Sequence, residues 1–215
     1  MTIALFGATG MTGGHVLKQL LDGGHHVRAL VRNPEKITTE HPALSLIKGD
    51  VFNTEQVMET CKEVDGVISC LGIGGMGDGS KTTLVSQGTR SILSCMPRVA
   101  FACISNTGVG NSKRAFPRKM RNSIRFSKNW KWFRAVLADK TRMEKIIKSS
   151  GHLYTIVRSP QIENSSKRSV VLISDNGVGI GTKVTAADLA AFLISSVTFP
   201  KNTSRTLSIS SDFEQ

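Results

Sequence analysis

Short apolar runs alternate with segments of helical periodicity along the chain. Thr2-Ile3-Ala4-Leu5-Phe6 is the first run, and helix-compatible residues follow from Val16 to Leu21. His26 to Val31, Leu44 to Val51, Gly66 to Gly72 and Val99 to Ile104 have strand length and strand composition. Leu153 to Pro160, Ser169 to Ser174 and Thr206 to Ser210 read as later strands. Helices are expected from Asn53 or Thr54, from about Thr82 to Met96, from Trp132 to Ser149 and from Thr185 to Val197. Strands alternating with helices predict an α/β fold. The expectation is one Rossmann-like, doubly wound parallel sheet over residues 1–215, with helices on both faces and a basic helical insertion at 109–135.

Composition narrows this picture in two places. At 215 residues, 40% hydrophobic and 20% charged, the chain suits one domain with a sizeable core. The formal charge of +12 is concentrated: nine basic and no acidic residues lie between Val109 and Ala135, which leaves 19 basic against 16 acidic elsewhere. The charge therefore describes one segment and not the fold. Four cysteines without Cys-x-x-Cys spacing argue against a disulfide scaffold or a thiol metal site, and the five histidines show no ligand clustering. No apolar stretch reaches spanning length and the chain opens on a strand, so a cytoplasmic protein is expected.

Candidate chemistry begins where the first strand runs into Gly7-Ala8-Thr9-Gly10-Met11-Thr12-Gly13. Strand, glycine-rich turn and helix start are the context of a dinucleotide fingerprint, here with two residues between successive glycines. The first glycine permits a backbone conformation closed to other residues, the second admits a pyrophosphate, and the third lets helix and strand pack closely. The helix start offers free N–H groups to phosphate. At the end of the second strand stands Arg32, where an NAD-preferring fold places an acid. With Lys36, it points to a 2′-phosphate and so to NADP(H).

Gly-Ala-Thr-Gly-x-Thr-Gly after the first strand resembles the atypical short-chain dehydrogenases of the NmrA-like group, especially the biliverdin reductase B (flavin reductase) branch. Tyr154-Thr155-Ile156-Val157-Arg158-Ser159-Pro160 is similar to that group's Tyr-Thr-Ile-x-Arg-Pro strand, with Ser159 inserted. The resemblance implies a cofactor-binding set of Gly7, Thr9, Gly10, Met11, Thr12, Gly13, Arg32, Lys36, Asp50, Val51, Leu71, Gly72 and Ile73. Within it, Asp50-Val51 would meet the adenine, and Leu71-Gly72-Ile73 the ribose and nicotinamide. A flexible glycine loop is expected over 73–79. The resemblance also implies catalytic positions at Ser105, Lys140 and Gln161, the last standing where the branch carries a histidine. A strand-end serine that caps backbone groups is the plainer account of Ser105. A Lys140–Glu144 pair across one helical turn is the plainer account of Lys140.

The single tyrosine, Tyr154, lies in a strand, so the Tyr-x-x-x-Lys platform of ordinary alcohol dehydrogenases is missing. A conjugated acceptor needs no such tyrosine, since it takes hydride into a π-system and its proton from solvent. The expected activity is NADPH-dependent reduction of a flavin, biliverdin-like tetrapyrrole or quinone. The alternative is a non-catalytic NADP(H) sensor acting through a protein partner. The basic insertion, which includes both tryptophans, reads as a lid over an anionic or aromatic substrate, as a protein or surface contact, or as a solvated helix. Nucleic acid is not the expected partner.

Overall fold

In β1 (Thr2–Phe6), Ile3 and Leu5 pack into one hydrophobic layer and Ala4 and Phe6 into another, and all four are buried. Period-two alternation with both faces apolar is what a central strand covered on both sides requires. β4 (Gly66–Ser69) and β5 (Ala100–Asn106) repeat the arrangement. Ile68, Ala102 and Ile104 face the first layer, and Val67, Phe101 and Cys103 the second.

The computed structural model describes residues 1–73, 79–175 and 181–212. The other strands are β2 (His26–Val31), β3 (Leu44–Lys48), β6 (Tyr154–Ser159), β7 (Gln161–Glu163), β8 (Val170–Ser174), β9 (Lys183–Thr185) and β10 (Arg205–Asp212). The helices are α1 (Met11–Asp22), α2 (Thr54–Cys61), α3 (Leu84–Cys95), α4 (Arg118–Phe126), α5 (Lys131–Lys148) and α6 (Ala186–Thr198). Eight strands form one sheet in the order β3-β2-β1-β4-β5-β6-β10-β8. Every neighbouring pair is parallel except β10 with β8, which closes one edge antiparallel. This is a Rossmann-like α/β fold, with α1 and α6 on one face and α2, α3 and α5 on the other. The chain winds outward from β1 to β3 and returns to place β4 beside β1. The C-terminal ends of β1 and β4 are thus the switch point where an open sheet of this kind forms a crevice. No helix among the described residues is long and apolar enough to cross a membrane.

Some local expectations change. The short strands β7 and β9 pair in a separate two-stranded ladder, which no run in the sequence announces. Asn53 caps α2 by accepting from Glu55 and Gln56 N–H, and Asp50 closes a turn by accepting from Phe52 N–H. The Thr185 hydroxyl caps α6 by accepting from Asp188 N–H, at 3.0 Å. The Asp188 carboxylate does not return the favour as in a capping box. It accepts from the hydroxyls of Ser169 and Ser211 and from Arg168, which ties α6 to β10 and the start of β8. His152 is half-buried, with Nε2 3.0 Å from the Leu93 carbonyl oxygen. The glycine loop expected over 73–79 lies, for residues 74–78, outside the described residues.

α3 starts without a side-chain cap from its N-cap residue, Thr83. Its first turn is held from α5: Asp139, 1% exposed, accepts from Val85 N–H at 2.9 Å and Ser86 N–H at 3.3 Å. Replacing Asp139 by Ala removes a charged cap and strands two donors, so urea denaturation should show a loss of about 1–3 kcal/mol. An unchanged midpoint would refute this cap.

Candidate functional site

The glycine turn is built by contact. Gly7 has φ +84°, and a Cβ there would lie 2.7 Å from the Cys70 carbonyl oxygen at the end of β4. A Cβ on Gly13 would lie 2.0 Å from the Gly7 carbonyl oxygen, nearer than any real contact. Gly10, by contrast, would set its Cβ 3.4 Å from its nearest neighbour, and it donates to Gly7 O at 3.1 Å. Two glycines are thus demanded by the protein's own packing, while the middle one leaves room. α1 then begins with no side-chain cap and no acid in its first turn. Helix geometry leaves its first N–H groups without intrahelical acceptors and puts the positive dipole end there. That is a cradle for phosphate.

A groove of about 480 Å³ runs along the C-terminal ends of β1, β2 and β4. Of the residues implied by resemblance, Gly7, Thr9, Gly10, Met11, Arg32, Asp50, Val51, Leu71, Gly72 and Ile73 line it, joined by Phe6, Leu30 and Phe52. Thr12 and Gly13 are buried in the first turn of α1, and Lys36 is exposed on a 3₁₀ turn outside the lining. Arg32, which is exposed, is the basic residue among those that line the groove.

Of the three positions implied as catalytic, Ser105 and Lys140 are buried beside each other, Lys140 bonding the carbonyl that precedes Ser105, and none of the three lines the groove. Gln161 is exposed on β7. Ser105 is fully buried, and its hydroxyl donates to Glu144 Oε1 at 2.8 Å. Lys140, 5% exposed, donates from Nζ to the Ile104 carbonyl at 2.6 Å and the Leu71 carbonyl at 3.1 Å. The expected Lys140–Glu144 pair is not formed. The Glu144 carboxylate instead accepts from Arg158 Nε at 2.9 Å and Nη2 at 2.7 Å. A planar guanidinium matches a carboxylate bidentately, which an ammonium one turn along the same helix cannot do. Lys140 is left to bridge β4 and β5, one hydrogen bond behind the Leu71 wall of the groove.

The electrostatics follow from this burial. Desolvation pushes the Lys140 ammonium below the usual lysine range, opposed by Cys103, Cys70, Asp139 and Glu144. For Glu144 burial acts upward, but hydrogen bonds from Arg158 and Ser105 and the charges of Arg158 and Lys148 hold the carboxyl below its ordinary range. Burial pushes the Cys70 and Cys103 thiols up to about 12, which suits packing and not thiolate chemistry. Arg158 was not singled out as a site residue by sequence reasoning. Its signal was present, an arginine in an otherwise apolar strand, which must be paired if buried. Arg158 also donates from Nη1 to Asn111 Oδ1, which anchors the first turn of the insertion to β6.

The insertion comprises a 3₁₀ turn (Gly110–Ala115), α4, a second 3₁₀ turn (Lys128–Trp130) and the first turn of α5. Phe133 holds it together, with ring centroids 5.5 Å from Trp130 and Trp132 and 6.4 Å from Phe116. Arg134 donates to the carbonyls of Ile124 and Ser127 at the end of α4, at 2.6 and 2.8 Å, where a cation complements the helix dipole. Ile124 is buried while Phe126 stays 72% exposed, so the three apolar residues Met120, Ile124 and Phe126 do not share one face.

Fold and groove together define a dinucleotide-binding α/β protein. The chain belongs to the NAD(P)H-binding family, whose profile matches residues 7–200. Among sequence relatives it is similar to the isoflavone reductase homolog A622 of Nicotiana tabacum, 25% identical over 95% of this chain. It spans only 66% of that protein's length. Among solved structures it is similar to ChuY, an anaerobilin reductase from Escherichia coli O157:H7, with TM-score 0.77, 19% identity and full coverage of both chains, 100% each. A short-chain dehydrogenase/reductase of Veillonella parvula in complex with NADP superposes with TM-score 0.76 at 14% identity, covering 97% of this chain and 94% of that one. At these identities the structural likenesses speak for the fold.

Proposed function

We propose that this protein is an NADPH-dependent reductase that passes hydride to a conjugated acceptor, such as a flavin, a linear tetrapyrrole or a quinone. The observation that carries the reading is the groove itself, with a phosphate cradle at α1 and Arg32 at the end of β2. The names of the tobacco relative and of ChuY, both reductases or reductase homologs, support the same class. Bound NADPH supplies the hydride. The first turn of α1 holds the pyrophosphate, Arg32 the 2′-phosphate, and Asp50 and Val51 the adenosine. Leu71, Gly72 and Ile73 form the wall along the ribose and nicotinamide. Lys140, through the Leu71 carbonyl, positions that wall, and Ser105 belongs to the buried Glu144–Arg158 layer under it. Gln161 cannot titrate near neutrality, so the proton that follows hydride to the acceptor comes from solvent.

The test is NADPH oxidation followed by absorbance against FMN, riboflavin, quinones and biliverdin, with NADH in parallel. Saturable turnover with NADPH preferred is the expected result. Tight NADPH binding with no acceptor turned over would refute the reductase and leave the sensor. Within this scheme Arg32→Glu should reverse the cofactor preference, with NADPH affinity falling about tenfold or more while NADH affinity stays within about threefold. Equal losses for both cofactors would remove Arg32 from the 2′-phosphate.

A further inference from the structure

A second concavity, of about 400 Å³, lies outside the dinucleotide groove, between the end of β5 and the insertion. Phe116, Ile124 and Leu137 give it an apolar wall, and Lys113, Arg121 and Arg125 a cationic rim. Gly108, three residues beyond Ser105, forms its inner edge. With φ +107°, and with a Cβ position only 2.8 Å from the Phe116 ring and 3.2 Å from Leu137, it sets the wall directly against the sheet. Both concavities therefore open on the same C-terminal edge, one at β1, β2 and β4 and the other at β5. Lys140 bridges the two strands between them through the Leu71 and Ile104 carbonyls.

The rim is electrostatically unfinished. None of its three cations has an ion pair among the described residues, and the segment from Val109 to Ala135 contains no acid to offer one. Arg121 and Arg125 stand one helical turn apart on α4, where like charges repel. Arg134, by comparison, is spent on the α4 carbonyls. Arg125 also lies over the Phe126 ring, 5.1 Å from its centroid, which leaves its charge without an acid. Three cations lacking an acidic partner beside an apolar wall favour a ligand with an apolar body and an anionic arm.

We propose that this cavity is an anion subsite, which receives the carboxylate or phosphate arm of the acceptor while its conjugated body lies toward the β4–β5 edge. The identity of the ligand as a hydride acceptor rests on the reductase reading, whereas the anion subsite itself does not.

The experiment titrates NADP⁺-saturated protein, so that the dinucleotide groove is filled, with two matched pairs. FMN and riboflavin differ by a phosphate and are followed by flavin fluorescence. Biliverdin and its dimethyl ester differ by two carboxylates and are followed by absorbance. The wild type should bind the anionic member of at least one pair about tenfold or more tighter, the scale of one charge-assisted hydrogen bond. The pair that discriminates identifies phosphate or carboxylate as the arm. In the triple variant Lys113→Gln, Arg121→Gln, Arg125→Gln the preference should vanish. Its NADPH affinity and unfolding midpoint, which report on the groove and the fold, should match the wild type. Should the triple variant fold poorly, Arg125→Gln alone should reduce the preference. Equal affinity within both pairs, or a preference that persists in the variants, would overturn the subsite. Selective binding without NADPH oxidation would uphold the subsite and overturn the reductase.

Discussion

Gly13→Ala should cost about 3 kcal/mol or more of stability and reduce NADPH affinity by about a hundredfold or more. The added methyl would sit 2.0 Å from the Gly7 carbonyl oxygen, and neither that oxygen nor a Cβ can swing aside unless the backbone moves. Relief requires α1 to move away from β1, which dismantles the phosphate cradle and opens the layer that Val16, Leu17 and Leu20 fill. Gly10→Ala is the informative contrast, because its methyl meets nothing nearer than 3.4 Å. Its stability should stay within about 1 kcal/mol of wild type, as for an exchange at a helix N-cap, while NADPH affinity still falls. Urea denaturation and a fluorescence titration with NADPH separate the two effects. Equal stability losses in both variants would contradict the assignment of Gly13 to packing and Gly10 to the ligand.

Glu144→Gln is expected to be comparably damaging, at about 3–5 kcal/mol, because it leaves the Arg158 guanidinium buried with its counter-charge gone. The side chains of Arg158 and Glu144 are only 3% and 4% exposed, so water cannot stand in. The pair also predicts a pH signature. Glu144 is held below its ordinary range when folded, so it binds fewer protons in the native state than in the unfolded one. Its contribution is complete above the unfolded carboxyl value of about 4.3 and fades as pH falls through the lower folded value. The stability gap between wild type and Glu144→Gln should therefore be flat between about pH 6 and about pH 8, and narrow below about pH 4. A gap that instead widened in acid would show that Glu144 is protonated in the native protein.

Much of this architecture was legible in the chain because it is local. The alternation of Ile3 and Leu5 with Ala4 and Phe6 placed β1 between two layers, since side chains along a strand point to opposite faces at every step. The turn from Gly7 to Gly13 announced the cradle because dihedral freedom and close approach are properties of glycine itself. Arg32 follows β2 directly, and the structure places it in the groove lining, where the end of that strand leads. The basic insertion was visible as a run of charge, and its own helix, α4, lies within the expected bounds.

What only the tertiary structure decided is the choice among partners. Of the two lysines one turn from Glu144 on α5, Lys148 pairs with it at 3.4 Å and Lys140 does not, while Arg158 from β6 takes the carboxylate bidentately. β5 and β6 pair in a register that sets Ser105 beside Arg158, which brings the guanidinium fork onto the carboxylate of α5. Lys140 was turned instead toward the carbonyls of Leu71 and Ile104. Asp139 caps a helix that begins 55 residues earlier, although Thr82 and Thr83 stood next to α3 as local candidates and only Thr82 accepts from its first N–H, at 3.3 Å. The rim of Lys113, Arg121 and Arg125 likewise became a cavity only when α4 folded back over Gly108 and Leu137. Period and propensity are written residue by residue in the chain. Which buried charge meets which partner depends on distances that exist only after the helices have packed on the sheet.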